Sequence, residues 1–191
     1  MKVLGILGSP RRGGNSEKLL DKALEGVRSS GALCEKVALG DLTFKGCIEC
    51  GGCDSTGICI LVDDMTALYK KIEDADVVIV ASPIFFASLP SQLKAFVDRF
   101  QSRWVAKYRL KNTGSGKKKE GAFICDSGWD KKEFFENAKY VLKTLFVTLD
   151  IEYSGELYAG GMDKPGAVDK AKQAMSEAFE LGKSLGKMKG V

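Results

Sequence analysis

Short apolar runs alternate with amphipathic helical patterns along most of this chain, and that alternation limits the fold more than any other feature. Strands are predicted over residues 2–7, 33–38, 75–81, 121–125 and 152–158. Helices are predicted over residues 16–29, 63–71, 90–103, 131–149 and 165–188. Strands that are apolar on both faces and interleave with helices form parallel sheets covered by helices on both sides. The sequence therefore predicts an α/β fold: a doubly wound, five-stranded parallel sheet in a three-layer α/β/α sandwich.

A chain of 191 residues is long enough for one well-buried domain. No repeat and no linker divides it, so residues 1–191 are predicted to form a single domain. Residues 41–59 are rich in Gly and Cys and have no sustained period, which predicts a cysteine-rich insertion at about 45–61.

Composition excludes two classes of partner. The longest apolar stretch, residues 75–90, contains Asp76 and two prolines and is too short to cross a bilayer. The N-terminal residues do not resemble a cleaved leader, so a cytoplasmic protein is expected. A net charge of +4 is too mild to indicate nucleic acid as a partner.

The first loop, residues 8–16, joins the first predicted strand to the first helix, where backbone N–H groups and a helix N-terminus can hold an anion. Gly13 and Gly14 allow close approach of the backbone, and Asn15 or Ser16 can cap the helix. The candidate phosphate-binding side chains are those of Ser9, Arg11, Arg12, Asn15 and Ser16. The loop matches neither the ATP-binding nor the dinucleotide-binding motif, which favours a monophosphate. The alternative is an ordinary turn with two solvated arginines.

The second loop, residues 82–90, follows the most apolar strand. Two prolines restrict its backbone, and it carries two phenylalanines at the carboxyl edge of the sheet, where ligands bind in this class of fold. The residues predicted to form a ligand wall are Pro83, Ile84, Phe85, Phe86 and Ala87. Plain core packing of the phenylalanines is the alternative. The third loop, residues 126–129, follows the fourth strand and contributes Ser127, Gly128 and Trp129 as further candidate contacts.

The cysteine segment, residues 47–59, has the spacing C-x2-C-x2-C-x5-C, formed by Cys47, Cys50, Cys53 and Cys59. Thiolates at this spacing suit the corners of an iron–sulfur cube, whereas structural zinc more often joins two separated pairs. A [4Fe–4S] cluster is the favoured interpretation, with zinc or free thiols as alternatives. Cys34 and Cys125 lie on predicted strands, where a small buried hydrophobic role is expected.

Two motifs together carry a family resemblance. G-S-P-R-x-x-x-N-S in the first loop and P-I-F-F-A-x-L-P-x-x-L-K-x-F-x-D-R from the second loop onward resemble the NADPH-dependent FMN reductase and flavodoxin-like family. The resemblance implies a flavodoxin-like strand order, FMN phosphate on the first loop, and the isoalloxazine ring beside the second loop, with the third loop also at the flavin. It further implies a homodimer or homotetramer.

The cysteine spacing, followed by V-D-D-M at residues 62–65, resembles the iron–sulfur flavoproteins of that family. The leading hypothesis is therefore an oxidoreductase that relays electrons between FMN and the cluster; the flavin carries the chemistry, and no catalytic side chain is assigned. One alternative is an NAD(P)H-dependent FMN or quinone reductase with zinc or no metal at the cysteines. Another is a non-catalytic thiol redox sensor.

Basic residues are concentrated between residues 107 and 119: Lys107, Arg109, Lys111, Lys117, Lys118 and Lys119. A solvated loop is one interpretation, and residues 112–119 are predicted to be a flexible tip. The other is docking of NADPH or of an acidic electron carrier such as ferredoxin.

Overall fold

A computed structural model describes residues 1–112 and 116–187. Its five strands form one sheet in the order β2-β1-β3-β4-β5, and each neighbouring pair is parallel. The strands are β1 (Lys2–Leu7), β2 (Leu33–Ala38), β3 (Val77–Pro83), β4 (Lys119–Asp126) and β5 (Ile151–Ala159). This is the doubly wound order with its switch point between β1 and β3. The predicted α/β fold with a five-stranded parallel sheet is confirmed.

The helices are α1 (Asn15–Arg28), α2 (Asp64–Asp74), α3 (Ser91–Asp98), α4 (Gln101–Trp104), α5 (Lys132–Thr148) and α6 (Lys172–Leu185). Two 3-10 turns, Leu39–Asp41 and Ala167–Lys170, and a π-helical turn, Val105–Arg109, complete the regular structure of the described residues. Each strand boundary lies within about two residues of its prediction.

Two predicted helices are corrected. The helix expected over residues 90–103 is interrupted, because Phe100 leaves the helical region with ψ near 5° and separates α3 from α4. The helix expected over residues 165–188 begins later, because Gly166 has φ +76° and starts a 3-10 turn instead. The predicted tip also needs correction: Lys119 is the first residue of β4 and is buried, and residues 113–115 lie outside the described part of the chain.

Alternating strand residues face two separate cores. Val3 and Leu7 of β1 pack with α1 and α6, whereas Leu4 and Ile6 pack with α2, α3 and α5 on the opposite face. Every second residue of a strand points to the same face, so an apolar run fills both layers. The three-layer arrangement follows directly.

Helices α1 and α6 approach each other closely at two glycines. A Cβ on Gly182 would lie 1.8 Å from the carbonyl oxygen of Ala23, and one on Gly26 would lie 2.1 Å from that of Phe179. Both distances are far below van der Waals contact, so this packing requires glycine at both positions.

Residues 42–63, which include the predicted insertion, contain only turns and irregular backbone. Within the described ranges, none of the helices combines the length and the apolar character needed to cross a bilayer.

Candidate functional site

Backbone hydrogen bonds draw the first three loops together at the carboxyl edge of the sheet. The amide of Gly8 donates to Ala81 (2.7 Å), that of Ile84 to Asp126 (2.9 Å), and that of Ser127 to Ala159 (3.0 Å). These bonds continue the strand ladder past the ends of β1, β3, β4 and β5. The predicted meeting of the loops at one edge is confirmed by this topology.

The first loop is ordered by its own side chains. The Ser9 hydroxyl is buried and lies 3.2 Å from both the amide and the carbonyl oxygen of Arg11, which closes a tight turn. Helix α1 has Gly14 as its N-cap, with no side-chain cap. The prediction that Asn15 or Ser16 caps the helix is therefore wrong, because both side chains make hydrogen bonds elsewhere.

The structure separates the roles of the two loop arginines. Arg12 pairs with Glu17 (2.9 Å) and Asp41 (3.4 Å). Arg11 is exposed and makes no ion pair within residues 1–112 and 116–187. Arg11 is thus the guanidinium available to an incoming anion.

Glu17 holds one side of the first loop in place. Its carboxylate accepts from the Gly13 amide (2.6 Å) and from Lys36 (2.8 Å). Burial opposes its ionisation, but the hydrogen bonds from Lys36 and the Gly13 amide outweigh burial and lower the pKa of Glu17. The buried Glu17 is therefore ionised, and its carboxylate takes the hydrogen bond that the Gly13 amide could otherwise donate to a bound anion.

Asn15 and Ser16 connect α1 to other elements of the edge. The side-chain amide of Asn15 (Nδ2) donates to the carbonyl oxygens of Met162 (2.9 Å) and Lys164 (3.1 Å), in the loop after β5. The buried Ser16 hydroxyl donates to the carboxylate of Asp126 at the end of β4. Burial raises the pKa of Asp126 to about 6, against the lowering effect of that hydrogen bond.

The second loop is a two-residue hairpin turn without glycine. Phe85 and Ser88 exchange two backbone hydrogen bonds of 2.9 Å, and the central residues Phe86 and Ala87 have φ values of 47° and 59°. Positive φ at both central positions defines a type I′ turn, which glycine or asparagine normally occupies. Asn137 of α5 donates to the Ala87 carbonyl (2.7 Å) and supports this strained conformation.

Both phenylalanines of this turn are outside the core. Phe86 is fully exposed and Phe85 is 46% exposed, whereas Ile84 packs partly against the apolar core. The core-packing alternative is therefore excluded for Phe86. Pro83 is the last residue of β3.

The third loop combines a buried serine with an exposed tryptophan. Ser127 is buried, and its carbonyl accepts from Met162 (2.8 Å). The Trp129 ring is 65% exposed and stacks on Phe134, with centroids 6.1 Å apart, while the Lys131 ammonium lies 5.0 Å from its centroid. Gly128 lies against Asp163 of the loop after β5. Aromatic rings thus flank the edge from two loops.

The cysteine segment lies along the outer side of α3, α4 and the π-helical turn. Gly46 contacts Ala95, Gly57 contacts Ala106, and Asp54 pairs with Arg109 (2.9 Å). Cys47 and Cys50 are exposed, and Cys53 and Cys59 are half-buried. Cys47 also lines a groove of about 560 Å³ between the segment, α3, α4 and α5.

The four thiols are not arranged as a metal-ligand set. Burial raises the pKa of Cys53, and the nearby carboxylate of Asp54 and thiols of Cys59 and Cys47 add to the effect. These thiols are close enough to interact electrostatically. Among the residues that the structure describes, however, no group of three or more His, Cys, Asp or Glu side chains could hold a metal ion. Cys125 is buried, as predicted for a structural cysteine, and Cys34 is half-buried.

Sequence reasoning missed Arg99, which fixes both ends of the cysteine segment. Its side chain is wholly buried and donates to the carbonyl oxygens of Lys45 (2.8 Å) and Leu61 (3.3 Å) and to the Asp63 carboxylate (2.6 Å). The final D-R of the second motif contains this arginine, but the motif gives no sign that it is buried.

Most of the basic residues between 107 and 119 have local partners. Lys107 pairs with Asp150 (2.5 Å), Arg109 with Asp54, and Lys117 with Asp76 (2.7 Å). The Lys119 ammonium donates to the carbonyl oxygens of Ile72 and Glu73. These contacts weaken the case for a docking patch, since paired charges attract a partner less strongly.

The chain is similar in sequence to a family of FMN reductases and to proteins named iron-sulfur flavoprotein. A sequence profile of the family described as NADPH-dependent FMN reductase matches residues 1–159. A protein named iron-sulfur flavoprotein from Archaeoglobus fulgidus is 38% identical over 145 residues, which are 76% of this chain and 62% of that protein. One of the same name from Methanosarcina thermophila is 38% identical over 112 residues, 59% of each chain. This chain thus spans about 60% of the length of these relatives.

Solved structures support the fold. A flavone reductase aligns with a TM-score of 0.75 at 20% identity, over 98% of this chain and 62% of that one. The NAD(P)H:quinone oxidoreductase from Methanothermobacter marburgensis aligns with a TM-score of 0.73 at 18% identity, over 97% and 98%. An archaeal flavodoxin aligns with a TM-score of 0.59 at 12% identity, over 98% and 97%.

Proposed function

The chain belongs to the NADPH-dependent FMN reductase family, and from that premise we propose that it is an FMN-dependent oxidoreductase. The observation that carries the proposal is the meeting of the first, second and third loops at the carboxyl edge of the sheet. There Arg11, which forms no ion pair with any described residue, and a helix N-terminus lie on one side, and the exposed Phe86 lies on another. An anion site beside an apolar wall suits a molecule with a phosphate at one end and an aromatic ring at the other.

The phosphate end of FMN is assigned to the first loop. Arg11 supplies the charge, and the first amides of α1 supply donors that have no partner within the helix. The buried Ser9 shapes the turn that presents these groups. Arg12 and the side-chain amide of Asn15 already bind other residues of the chain, so we assign them the role of stabilising the conformation of the first loop. The ring is assigned to the second and third loops, with Phe85, Phe86 and Trp129 as its walls.

When bound, FMN supplies the redox chemistry, because it accepts a hydride from a nicotinamide and delivers electrons to a second substrate. The chain's own contribution is to bind and orient the flavin and to leave one face open to the donor. The exposed turn at residues 85–88 suits that role, since its side chains reach solvent. NAD(P)H is the proposed donor on the basis of the family.

The cysteine segment supports a finer proposal, in which it holds a [4Fe–4S] cluster that exchanges single electrons with FMN. Its support is the compact spacing of four cysteines and the names of the relatives. The thiols as placed here do not fit a cluster, because they are not gathered into a ligand set in the described residues. Loading a cluster therefore requires the exposed part of the segment to rearrange. The acceptor is proposed to be a small electron carrier such as ferredoxin.

A second candidate is an NAD(P)H-dependent flavin or quinone reductase with zinc or no metal at the cysteines, and its support is that the described residues contain no group of three or more ligands placed to hold a metal ion. The fold is shared with a quinone oxidoreductase, which is compatible with this candidate. A homodimer or homotetramer is proposed for either function, and its support is the exposure of three large hydrophobic side chains close together in sequence, Ile58, Ile60 and Val62.

One preparation distinguishes these proposals. The protein is purified without oxygen, and its FMN, iron, acid-labile sulfide and zinc are measured per chain. FMN with about four irons and four sulfides supports the cluster relay. FMN without iron after attempted reconstitution rejects the cluster and leaves the reductase, which anaerobic bleaching of the flavin by NADPH then tests. A chain that binds no FMN overturns the main proposal, and oxidation-dependent binding of a partner would then point to a thiol sensor.

A further inference from the structure

The side chain of Asp126 is a buried carboxyl group, and none of the described cationic side chains is in contact with it. Asp126 ends β4, is 5% exposed, and its side chain accepts from Ser16, the second residue of α1. Within the described residues it forms no ion pair, and Arg11 of the first loop is the one cation whose charge acts on it. A buried carboxylate that accepts only from one hydroxyl and from its own backbone amide is poorly compensated for the loss of water.

The elements packed around Asp126 offer few other titratable groups. Pro83 lies beside it on β3, and Ala159 lies beside it on β5. On α1, the Glu17 carboxylate is turned toward Gly13 and Lys36. The neighbouring Cys125 thiol is buried, which raises its pKa well above the usual value and keeps it neutral. The protonation of Asp126 is therefore set by its burial, by the hydrogen bonds from Ser16 and from its own backbone amide, and by the charge of Arg11.

We propose that Asp126 takes up a proton when the phosphate of FMN binds to the first loop, and that this proton releases the Ser16 hydroxyl to donate to the phosphate. The inference rests on the proposed function. When Asp126 is ionised, the Ser16 O–H donates to its carboxylate. A protonated Asp126 can instead donate its own O–H to Ser16 Oγ, and the Ser16 hydrogen is then free to point to a phosphate oxygen. One proton moves from solvent to Asp126, and no covalent bond of FMN changes.

A bound phosphate favours the protonated form of Asp126 in two ways. Its negative charge disfavours a second negative charge nearby, and Arg11, which favours the ionised carboxylate in the free chain, is drawn to the phosphate instead. Since burial raises the pKa of Asp126 only to about 6, the carboxyl is mostly ionised at pH 7 and has a proton to gain. Asp126 is thus a positioning residue that acts on the ligand through Ser16.

The first test counts protons in the wild-type chain. FMN binding is measured by calorimetry at pH 7 in two buffers of different ionisation enthalpy. The proposal expects net uptake of about one proton per FMN. The phosphate monoester, with a second pKa of about 6, would by itself release a small fraction of a proton on binding as the dianion. Riboflavin, which has no phosphate, is expected to bind without uptake.

The second test compares Asp126→Asn with the wild type between pH 5.5 and 8, with FMN affinity measured by fluorescence quenching. The ratio of the wild-type Kd to the variant Kd is expected to rise by up to about tenfold per pH unit above pH 6.5, because the amide cannot ionise. FMN's own titration affects both chains equally and cancels in the ratio. Asp98→Asn, which removes an exposed carboxylate paired with Lys94 on α3, is the matched control and should follow the wild type.

The outcomes separate the two proposals. FMN binding without proton uptake, or with parallel pH profiles in wild type and Asp126→Asn, overturns the role of Asp126 and leaves the FMN site intact. Failure of the wild-type chain to bind FMN over the whole pH range overturns the proposed function itself. If the variant does not fold, the wild-type proton count decides alone.

Discussion

Arg99 and Asp63 form a two-pronged ion pair, with Nη1 2.6 Å from Oδ2 and Nη2 3.2 Å from Oδ1. The same carboxylate accepts from the amide of Met65 and so caps α2 (3.1 Å). The same guanidinium donates to carbonyl oxygens on both sides of the cysteine segment. One ion pair between a buried arginine and a half-buried aspartate therefore couples α2, α3 and the two ends of an otherwise irregular segment.

Removal of the guanidinium should strongly destabilise the chain. In Arg99→Met, the carbonyl oxygens of Lys45 and Leu61 lose the guanidinium, and the Asp63 carboxylate keeps only its backbone hydrogen bonds. Breaking a buried pair costs about 3–5 kcal/mol. Urea denaturation should show this loss, and the cysteines of the segment should react faster with a thiol reagent. Lys94→Met, which breaks an exposed pair on α3, is the control and should change stability by less than about 0.5 kcal/mol. Equal effects of the two variants would contradict the proposed clamp.

The same pair predicts a loss of stability in acid. Burial alone would raise the pKa of Asp63, but hydrogen bonds from Arg99 and from Met65 lower it below the usual value. Because the pKa of Asp63 is lower in the folded chain than in the unfolded chain, ionised Asp63 stabilises the fold at pH values above the unfolded-state pKa of about 3.9. This stabilisation is lost as the pH falls through the folded-state pKa. The difference in the free energy of unfolding between wild type and Asp63→Asn should therefore be constant from pH 7 to 5 and shrink below about pH 4. A gap that stays constant down to pH 2.5 would argue against it.

The two arginines of the first loop should differ in their effect on FMN. Arg11→Ala removes the unpaired guanidinium and should weaken FMN binding by roughly 10- to 100-fold, as expected for a hydrogen bond to a charged group. Arg12→Ala should have a smaller effect, because Arg12 is already paired with Glu17 and Asp41. Riboflavin affinity should be nearly the same in both variants. The reverse order of effects would place the phosphate elsewhere.

Phe86 should matter for ligand binding and little for folding. Its side chain is fully exposed, so Phe86→Ala should change the free energy of unfolding by less than about 0.5 kcal/mol. Loss of an aromatic contact with the flavin should raise the Kd for both FMN and riboflavin by roughly 2- to 10-fold. Tyr140→Ala, at an exposed aromatic on α5, serves as the control and should alter neither quantity. A large drop in melting temperature for Phe86→Ala would point to a structural role.

The strands and most helices could be predicted from sequence because their signal is local. Apolar runs such as those of β1 and β3 carry the whole pattern within six or seven residues. The first and second loops were predicted for the same reason, since each lies directly after a recognisable strand. The role of Arg99 could not be predicted, because its partners are 36 to 54 residues away and only the fold brings them together. The contact between Ser16 and Asp126 spans 110 residues and was missed for the same reason.

The break between α3 and α4 was missed for a different reason. Residues 90–103 have a continuous helical pattern without Gly or Pro in the interior, so nothing local marks a stop. The tertiary contacts of Arg99 and Phe100 prevail over that pattern, since Phe100 packs in the core against Phe96 and Tyr69.

The close packing of α6 on α1 makes the last part of the chain a scaffold for the proposed FMN site. The family match ends at residue 159, before α6. Yet α6 contacts α1 across Gly26 and Gly182, and Asn15 at the start of α1 is held by carbonyl oxygens at residues 162 and 164. An expression fragment cut at the family boundary would retain every residue proposed to touch FMN and lose the support that holds the first loop in place. The part of the chain that holds the first loop in place is therefore longer than the region by which the family is recognised.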